Sequence, residues 1–411
     1  MSQVKRSFLF LQGIGSPFIT QLAERLTSAG HDVSKVNFNS GDTAYWGRRP
    51  SWAFRGKVGQ LPAFLEDKCR TAGVTDIVML GDRLPIHIPA VGVAEKLGLR
   101  AHVYEEGYFR PYWVTLERNG VNANSRLPRD PEWYRRASGH LPRTQPLEQF
   151  RSPFRIRVMH AVGYNVATML NLSLFPGYQP HSRCSNPVTY ATGYVKRWAL
   201  NHWHEKRDRA AIEALVSSGT PYYFFPLQLD SDAQIRDHSD FENMAQVMER
   251  VMESFARHAP PDSRLVIKNH PIDVRLVSRY RDVRSLERRF GIGGRVEYLE
   301  TGNLEMIVRY ARGTITVNST VGGMALRHNC PIITLSDPIY NVAGLTFQGT
   351  LDRFWREFSP PDPELFDCFR RVVIHATQIN GGFYCNRGIS LAVENSIPSL
   401  TADRSPLEEL L

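Results

Sequence analysis

Among 411 residues there are only five cysteines, Cys69, Cys184, Cys330, Cys368 and Cys385, and no two stand in a C-x-x-C or C-x-x-H spacing. An odd number of scattered thiols argues against a disulfide framework and against a closed zinc site, and fits a reducing cytoplasm. Long apolar runs are missing too. The opening "MSQVKRSFLFLQGIG" puts two basic residues before an apolar run too short for a signal-peptide core, so it reads as a first β-strand. The most apolar long stretch, "VMHAVGYNVATMLNLSLF" at 158 to 175, is interrupted by His160, Asn165 and Asn171 and is too polar for a lipid-facing span. No transmembrane segment is expected. Zinc-finger, RNA-recognition and helix-turn-helix signatures are also lacking, so no nucleic-acid partner is expected.

What is present is ordinary globular composition, 42% hydrophobic and 22% charged, in a chain long enough for two cores. The formal net charge of +9 points to an anionic partner. Two patches interleave cations with rings or branched side chains, "WGRRPSWAFRGK" at 46 to 57 and "RSPFRIRV" at 151 to 158. Each reads either as a solvated loop with anchoring rings or as a membrane-interface segment. The first patch is the expected docking surface, with Arg48, Arg49, Arg55 and Lys57 as cations and Trp46, Trp52 and Phe54 dipping into the interface.

Apolar strands alternate with helix-period segments from "SFLFLQ" through "FITQLAERLTSAGHDV", "DIVMLGD", "AVGVAEKLGL" and "RAHVYEEGY". Residues 120 to 190 break the pattern, and the alternation resumes at "PYYFFPLQ" and continues to "PIITL". The expectation is an α/β protein with two Rossmann-like domains, 1–180 and 181–380, and a ligand cleft between them at the carboxyl ends of the strands. Whether the segment 381–411 packs back on the first domain stays open.

Five loops at strand ends carry candidate chemistry. "GIGSPF" brings Gly13, Gly15 and Ser16, but it lacks a third glycine and an acidic ribose partner near position 37. It is either a tight turn on the acceptor side or a nucleotide loop. "YEEGYFRPYW" brings Glu105, Glu106 and Arg110; neighbouring residues on a strand point to opposite faces, so at most one glutamate faces the cleft. "FFPLQLDSDAQIRDHSDF" brings Gln228, Asp230, Asp232 and Asp237. "VIKNHPID" ends a buried strand with Lys268 and His270, a pair suited to phosphate. "TVNSTVGGMAL" offers Asn318, Ser319 and Thr320 where a strand meets a helix, a place for an anion or simply a capped helix start.

Taken in order, the segments "FLFLQGIGSPFITQLAERLTSAGHDVSKVNFNSGD", "LGDRLPIH", "EEGYFRPYW", "PLQLDSDAQI", "KNHP" and "NSTVGGMAL" resemble the capsule polysaccharide biosynthesis family, in particular its KpsS-type β-Kdo transferases. The resemblance implies a GT-B-like fold, CMP-Kdo as donor, and a phosphatidylglycerol-type lipid as acceptor, so that the first Kdo of a capsule linker is placed with retention. On the family's Q-x-x-x-D pattern, Gln228 leads to Asp232 as nucleophile, with Asp230 in support. Glu105 is then the group that moves the acceptor proton, and Glu106 its fallback, with Arg110 nearby. Lys268 and His270 would stabilise the departing CMP phosphate, helped by Asn318, Ser319 and Thr320. Asp230 and Asp232 also spell Asp-x-Asp, a metal-holding pattern elsewhere, but the cations at 268 and 270 can neutralise phosphate, so no metal or cofactor is expected. Asp237 and His238 are expected to cap the next helix. The protein should work at the cytoplasmic face of the inner membrane as a peripheral protein, beside other capsule biosynthesis and export proteins. Two alternatives remain open: a transferase of the same fold with another nucleotide sugar and a glycan acceptor, and a non-catalytic assembly scaffold.

Overall fold

The computed structural model describes residues 4–143, 147–169, 171–177, 204–229, 241–270, 273 and 279–411. The chain divides into two units, one formed by 1–127, 140–181 and 371–411, the other by 128–139 and 182–370.

The first unit is built on a sheet of β1 (Ser7–Phe10), β2 (Asp32–Asn37), β3 (Ser51–Ala53), β4 (Asp76–Leu80), β5 (Arg100–Glu106), β6 (Trp113–Arg118) and the late strand Gln378–Asn380. Strands β3-β2-β1-β4-β5 pair in parallel in that order. Strand β6 then runs antiparallel to β5, and Gln378–Asn380 antiparallel to β6. Both faces are covered, and β1 is apolar at every position after Ser7 for that reason. Phe8 and Phe10 pack with Phe18, Leu22, Ile389 and Val393, while Leu9 packs with Leu61, Leu65, Ile77 and Val103. The Asn386–Thr401 helix lies against the Phe18–Ser28 helix, so the last stretch of chain completes this unit.

At the amino ends of these strands Asp76 is fully buried. It accepts from Arg100 Nε (2.7 Å) and Nη2 (2.9 Å), and His102 Nε2 lies 2.8 Å away. Burial alone would raise the Asp76 pKa, yet the hydrogen bonds from His102, Arg100 and Thr75 hold it well below the usual carboxylate range. Burial pushes His102 down against the pull of Asp76, and burial with the nearby Arg6 charge pushes His31 down.

The second unit has an all-parallel sheet, in chain order β7 (Tyr222–Pro226), β8 (Arg264–Lys268), β9 (Val296–Leu299), β10 (Gly313–Thr316) and β11 (Ile332–Thr334). Its spatial order is β9-β8-β7-β10-β11, the same 3-2-1-4-5 pattern as the parallel part of the first sheet. Strand β7 is buried at all its residues. Tyr223 and Phe225 pack with Val251, Phe255 and Trp355 on one face, and Tyr222 Oη donates to Ile307 O (2.7 Å) on the other. The Met244–His258 helix is capped by Asn243, whose side chain accepts from Gln246 N (3.1 Å). That corrects the expected cap: Asp237 and His238 lie outside the described residues, and the cap belongs to Asn243 at the immediate helix start.

Each unit therefore has a point where successive connections leave in opposite directions, between β1 and β4 in the first and between β7 and β10 in the second. In open α/β sheets this is where a crevice opens beyond the carboxyl ends of the strands.

Candidate functional site

In the second unit, β7 leaves the sheet through Leu227, whose N donates to Lys268 O (2.8 Å), and delivers a buried Gln228 to the crevice. Gln228 Nε2 donates to Asn318 Oδ1 (3.0 Å), and Asn318 N donates back to Gln228 Oε1 (3.4 Å). Ninety residues apart in sequence, the two amides lock the ends of β7 and β10 at the switch point. Asp230 and Asp232 follow directly but lie outside the described residues.

Beyond Asn318 the chain turns into the Val321–Arg327 helix. Ser319 N donates to Thr316 Oγ1 (3.1 Å), Ser319 Oγ accepts from Val321 N (3.2 Å), and Ser319 O accepts from Tyr340 Oη (2.6 Å). The Tyr340 ring packs so close that a Cβ on Gly322 would fall 2.3 Å from it, which explains glycine there. Thr320 is exposed and makes no side-chain cap. Ser319 is thus used mainly to shape the turn, and Thr320 presents a hydroxyl to solvent.

On the other side of β7, β8 ends at Lys268, which is 4% exposed and donates from Nζ to Asn269 O (3.3 Å). His270 N donates to Asn269 Oδ1 (2.8 Å), and Asn269 Nδ2 donates to Glu300 Oε2 (3.0 Å). Lys268 opens onto a cavity of about 580 Å³ whose described lining includes Arg209, Glu213, Glu300, Thr301 and Asn303. Asn318, Ser319 and Thr320 stand at the end of β10, across β7 from this cavity.

Sequence reasoning missed the group that fixes the cavity wall. Asp208, in the helical stretch 204–217, is fully buried; its Oδ2 accepts from Glu300 N and Thr301 N (both 2.8 Å) and from Thr301 Oγ1 (3.2 Å). Its Oδ1 accepts from Arg207 Nε (2.7 Å). Asp208 reads in sequence as one charge in a mixed-sign helix, "HEKRDRAA", and nothing local marks it as buried.

In the first unit, Glu105 and Glu106 are the last two residues of β5, both partly exposed. Glu105 Oε1 accepts from Glu106 N (2.9 Å), while Glu106 Oε1 lies 3.4 Å from Arg157 Nη1. Arg157 in turn stacks over the Tyr384 ring at 4.8 Å. Burial pushes the Tyr384 hydroxyl up, and the charges of Arg157, Glu106, Glu105 and Arg110 all act on it. Of the expected residues, Glu106 is tied to this ring through Arg157. Gly107 follows because a Cβ there would fall 2.1 Å from Trp113 O.

The "GIGSPF" loop has a packing explanation. A Cβ on Gly13 would meet Ile19 Cγ1 at 2.3 Å, and one on Gly15 would meet Tyr164 Cβ at 3.0 Å. Ser16 is buried, and its Oγ accepts from Phe18 N (3.3 Å). Beside the loop lies a buried polar cluster that the sequence did not single out. Tyr164 Oη accepts from Gln12 Nε2 (2.9 Å) and Asn39 Nδ2 (2.8 Å) and donates to Asp42 Oδ1 (3.1 Å). Lys35 Nζ donates to Asn37 Oδ1 (2.7 Å) and sits 3.6 Å from Asp42; burial pushes the lysine down despite that carboxylate.

One expectation fails outright. Trp46 and Phe54, assigned to dip into a membrane, are core residues, 1% and 8% exposed. Trp46 Nε1 donates to Pro50 O (3.1 Å) and its ring packs against Phe10; Phe54 packs against Phe38 and Phe64. Of the four cations in that patch, Arg49 pairs with Glu24, while Arg48, Arg55 and Lys57 are exposed.

The profile of the capsule polysaccharide biosynthesis proteins matches residues 75–384. The capsule polysaccharide export protein KpsS of Escherichia coli is 35% identical over 381 residues, which is 92% of this chain and 97% of that one. The capsule polysaccharide modification protein LipB of Neisseria meningitidis serogroup A is 33% identical over 394 residues, 92% of this chain and 91% of that one. Among solved structures, the β-Kdo 2,7 transferase of Thermosulfurimonas dismutans KpsC aligns over 96% of this chain and 99% of its own, at 14% identity and a TM-score of 0.43. The matched span contains Glu105, Gln228, Lys268 and Asn318 at its strand ends, and the chain belongs to the capsule polysaccharide biosynthesis family.

Proposed function

We propose that the protein is a retaining β-Kdo glycosyltransferase that moves Kdo from CMP-Kdo to a phosphatidylglycerol-type lipid, beginning the poly-Kdo linker of a capsular polysaccharide. The observation that carries the reading is the Gln228–Asn318 lock at the β7/β10 switch point, with Lys268 at the end of the adjacent β8. A nucleotide sugar placed there has its phosphate within reach of a buried cation, and the segment bearing Asp230 and Asp232 begins at the same strand end.

In the first step the Asp232 carboxylate attacks the anomeric carbon, its C–O bond forming as the bond to phosphate breaks and CMP leaves with the electron pair. Asp230 assists, and Lys268 and His270 neutralise the departing charge. In the second step the lipid hydroxyl attacks the same carbon, its proton passes to Glu105, and Asp232 is released. Neither step calls for a metal or other cofactor. The protein acts as a peripheral protein of the cytoplasmic membrane face; among the described residues no helix is long and apolar enough to cross a membrane.

The test is incubation with CMP-Kdo and a fluorescent phosphatidylglycerol, with and without EDTA. A Kdo-lipid product that survives EDTA, and is lost in Asp232→Ala while CMP still binds, is the expected result. Turnover only with another nucleotide sugar or a glycan acceptor overturns the substrate assignment. CMP binding with no turnover on any acceptor would make the protein an assembly scaffold, and activity lost in EDTA and restored by Mg²⁺ would return "DSD" to metal binding.

A further inference from the structure

The Phe154–Thr168 helix of the first unit is turned the wrong way round for a globular protein. None of its residues is fully buried. Three of its polar side chains face the protein: Tyr164 enters the Gln12–Asn39–Asp42 cluster, His160 Nδ1 lies 3.0 Å from Tyr45 Oη, and Arg157 meets Glu106. Most of its large apolar side chains face out. Phe154, Val158, Met159, Val162 and Val166, with Met169 just past the helix end, are 39% to 71% exposed. At about 100° per residue they fall within an arc of roughly 140°, a stripe several turns long whose polar members are Arg155 and Asn165. Surface helices bury such a stripe; an exposed one marks a contact with something else.

Charge selects the occupant. From Arg151 to Gly177 the chain has no acidic residue, and none between Thr43 and Leu65. The two segments meet, because a Cβ on Gly177 would fall 2.6 Å from Arg55 O and 2.5 Å from Gly56 O. The exposed Arg151 and Arg155 therefore stand at one end of the stripe, and the exposed Arg55 and Lys57 beside the segment that follows its other end. An apolar stripe flanked by cations with no carboxylate between them matches an anionic lipid surface, where apolar side chains enter the acyl boundary and cations meet headgroups. A second copy of the chain would set like charges against each other.

We propose that the Phe154–Thr168 helix, with Arg151, Arg155, Arg55 and Lys57, is the surface by which this protein docks on anionic membranes. The role fits the lipid acceptor proposed above, though the docking test needs no donor and no turnover. Binding is measured by sedimentation with phosphatidylglycerol vesicles and with phosphatidylcholine vesicles, for the wild type, Val158→Ser/Val162→Ser/Val166→Ser, and Arg151→Ser/Arg155→Ser. The wild type should prefer phosphatidylglycerol, and the triple variant should partition roughly tenfold or more weakly at an unchanged melting temperature. The arginine variant should lose several-fold and respond less to salt. Transfer of Kdo to a short-chain acceptor dissolved in buffer should persist in both, so failed docking and failed catalysis read out separately. Absence of vesicle binding by the wild type, or equal binding by the triple variant, overturns the proposal. So does a triple variant that melts markedly lower, since the stripe would then be packed against protein, or one that abolishes a wild-type dimer without changing vesicle binding.

Discussion

Removal of the Asp208 carboxylate should weaken the second unit more than any other single change to a charged residue discussed above. In Asp208→Ala the amides of Glu300 and Thr301 and the Thr301 hydroxyl lose their common acceptor. A hydrogen bond to a charged group is worth about 1.5–3 kcal/mol, and a buried donor left alone costs its desolvation as well. Because the three donors share one oxygen their energies do not simply add, and about 3–5 kcal/mol is the expected loss. For a unit of this size each kcal/mol is worth roughly 2–4 °C, so the melting transition should fall by about 6–20 °C. Asp208→Asn keeps one acceptor oxygen and should recover around half of that loss. Calorimetry gives the shift, and hydrogen exchange over residues 296–303 locates it. An alanine variant within about 1 kcal/mol of wild type, or an asparagine variant as damaged as the alanine, would refute the reasoning.

Two further expectations concern the lock and the buried histidines. Gln228→Ala and Asn318→Ala should be non-additive, with a coupling of about 1–2 kcal/mol in a double-mutant cycle of urea unfolding; additivity within about 0.5 kcal/mol would mean the amides act separately. In the first unit His31 and His102 have depressed pKa values, so below about pH 6.5 the unfolded chain takes up protons that the folded one refuses. Its stability should fall from there down, and fall again below about pH 4 as the depressed Asp76 begins to favour the unfolded, protonated state. Hydrogen exchange of the β4 and β5 amides between pH 7.5 and 5 checks the first window, and a flat response would count against it.

The parallel core was legible because it is written locally. Strands such as "SFLF" and "YYFFP" are apolar at nearly every position, as strands covered on both faces must be, and each is followed by a helix period. What escaped was what distance decides. Strand β6 starts only where the "EEGYFRPYW" segment ends, and its partner Gln378–Asn380 comes from far along the chain. Residues 128–139 belong with the second unit although the chain around them belongs to the first. The site divided the same way. Gln228, Lys268 and Asn318 stand where strands end, a position sequence can locate. Asp208 and the Lys35–Asp42–Tyr164 cluster are polar residues whose burial only the fold reveals. The rings of Trp46 and Phe54 looked amphipathic beside arginines, but composition does not say which way a side chain points.

The return of the chain's last stretch to the first unit has a consequence for biosynthesis. Arg6, just before β1, donates to Thr401 O (3.1 Å) and Ala402 O (2.9 Å) and pairs with Asp403. Those partners leave the ribosome after the whole span 182–370 of the second unit has been made. The nascent first unit must therefore wait, with an open sheet edge at β6 and a bare apolar face on the Phe18–Ser28 helix, while the later unit is already able to close. Synthesis that stops at residue 370 would leave the second unit its full span and the first without its final strand and helix. The part translated first is thus the last to become whole, and it is the part most exposed to chaperones and proteases along the way.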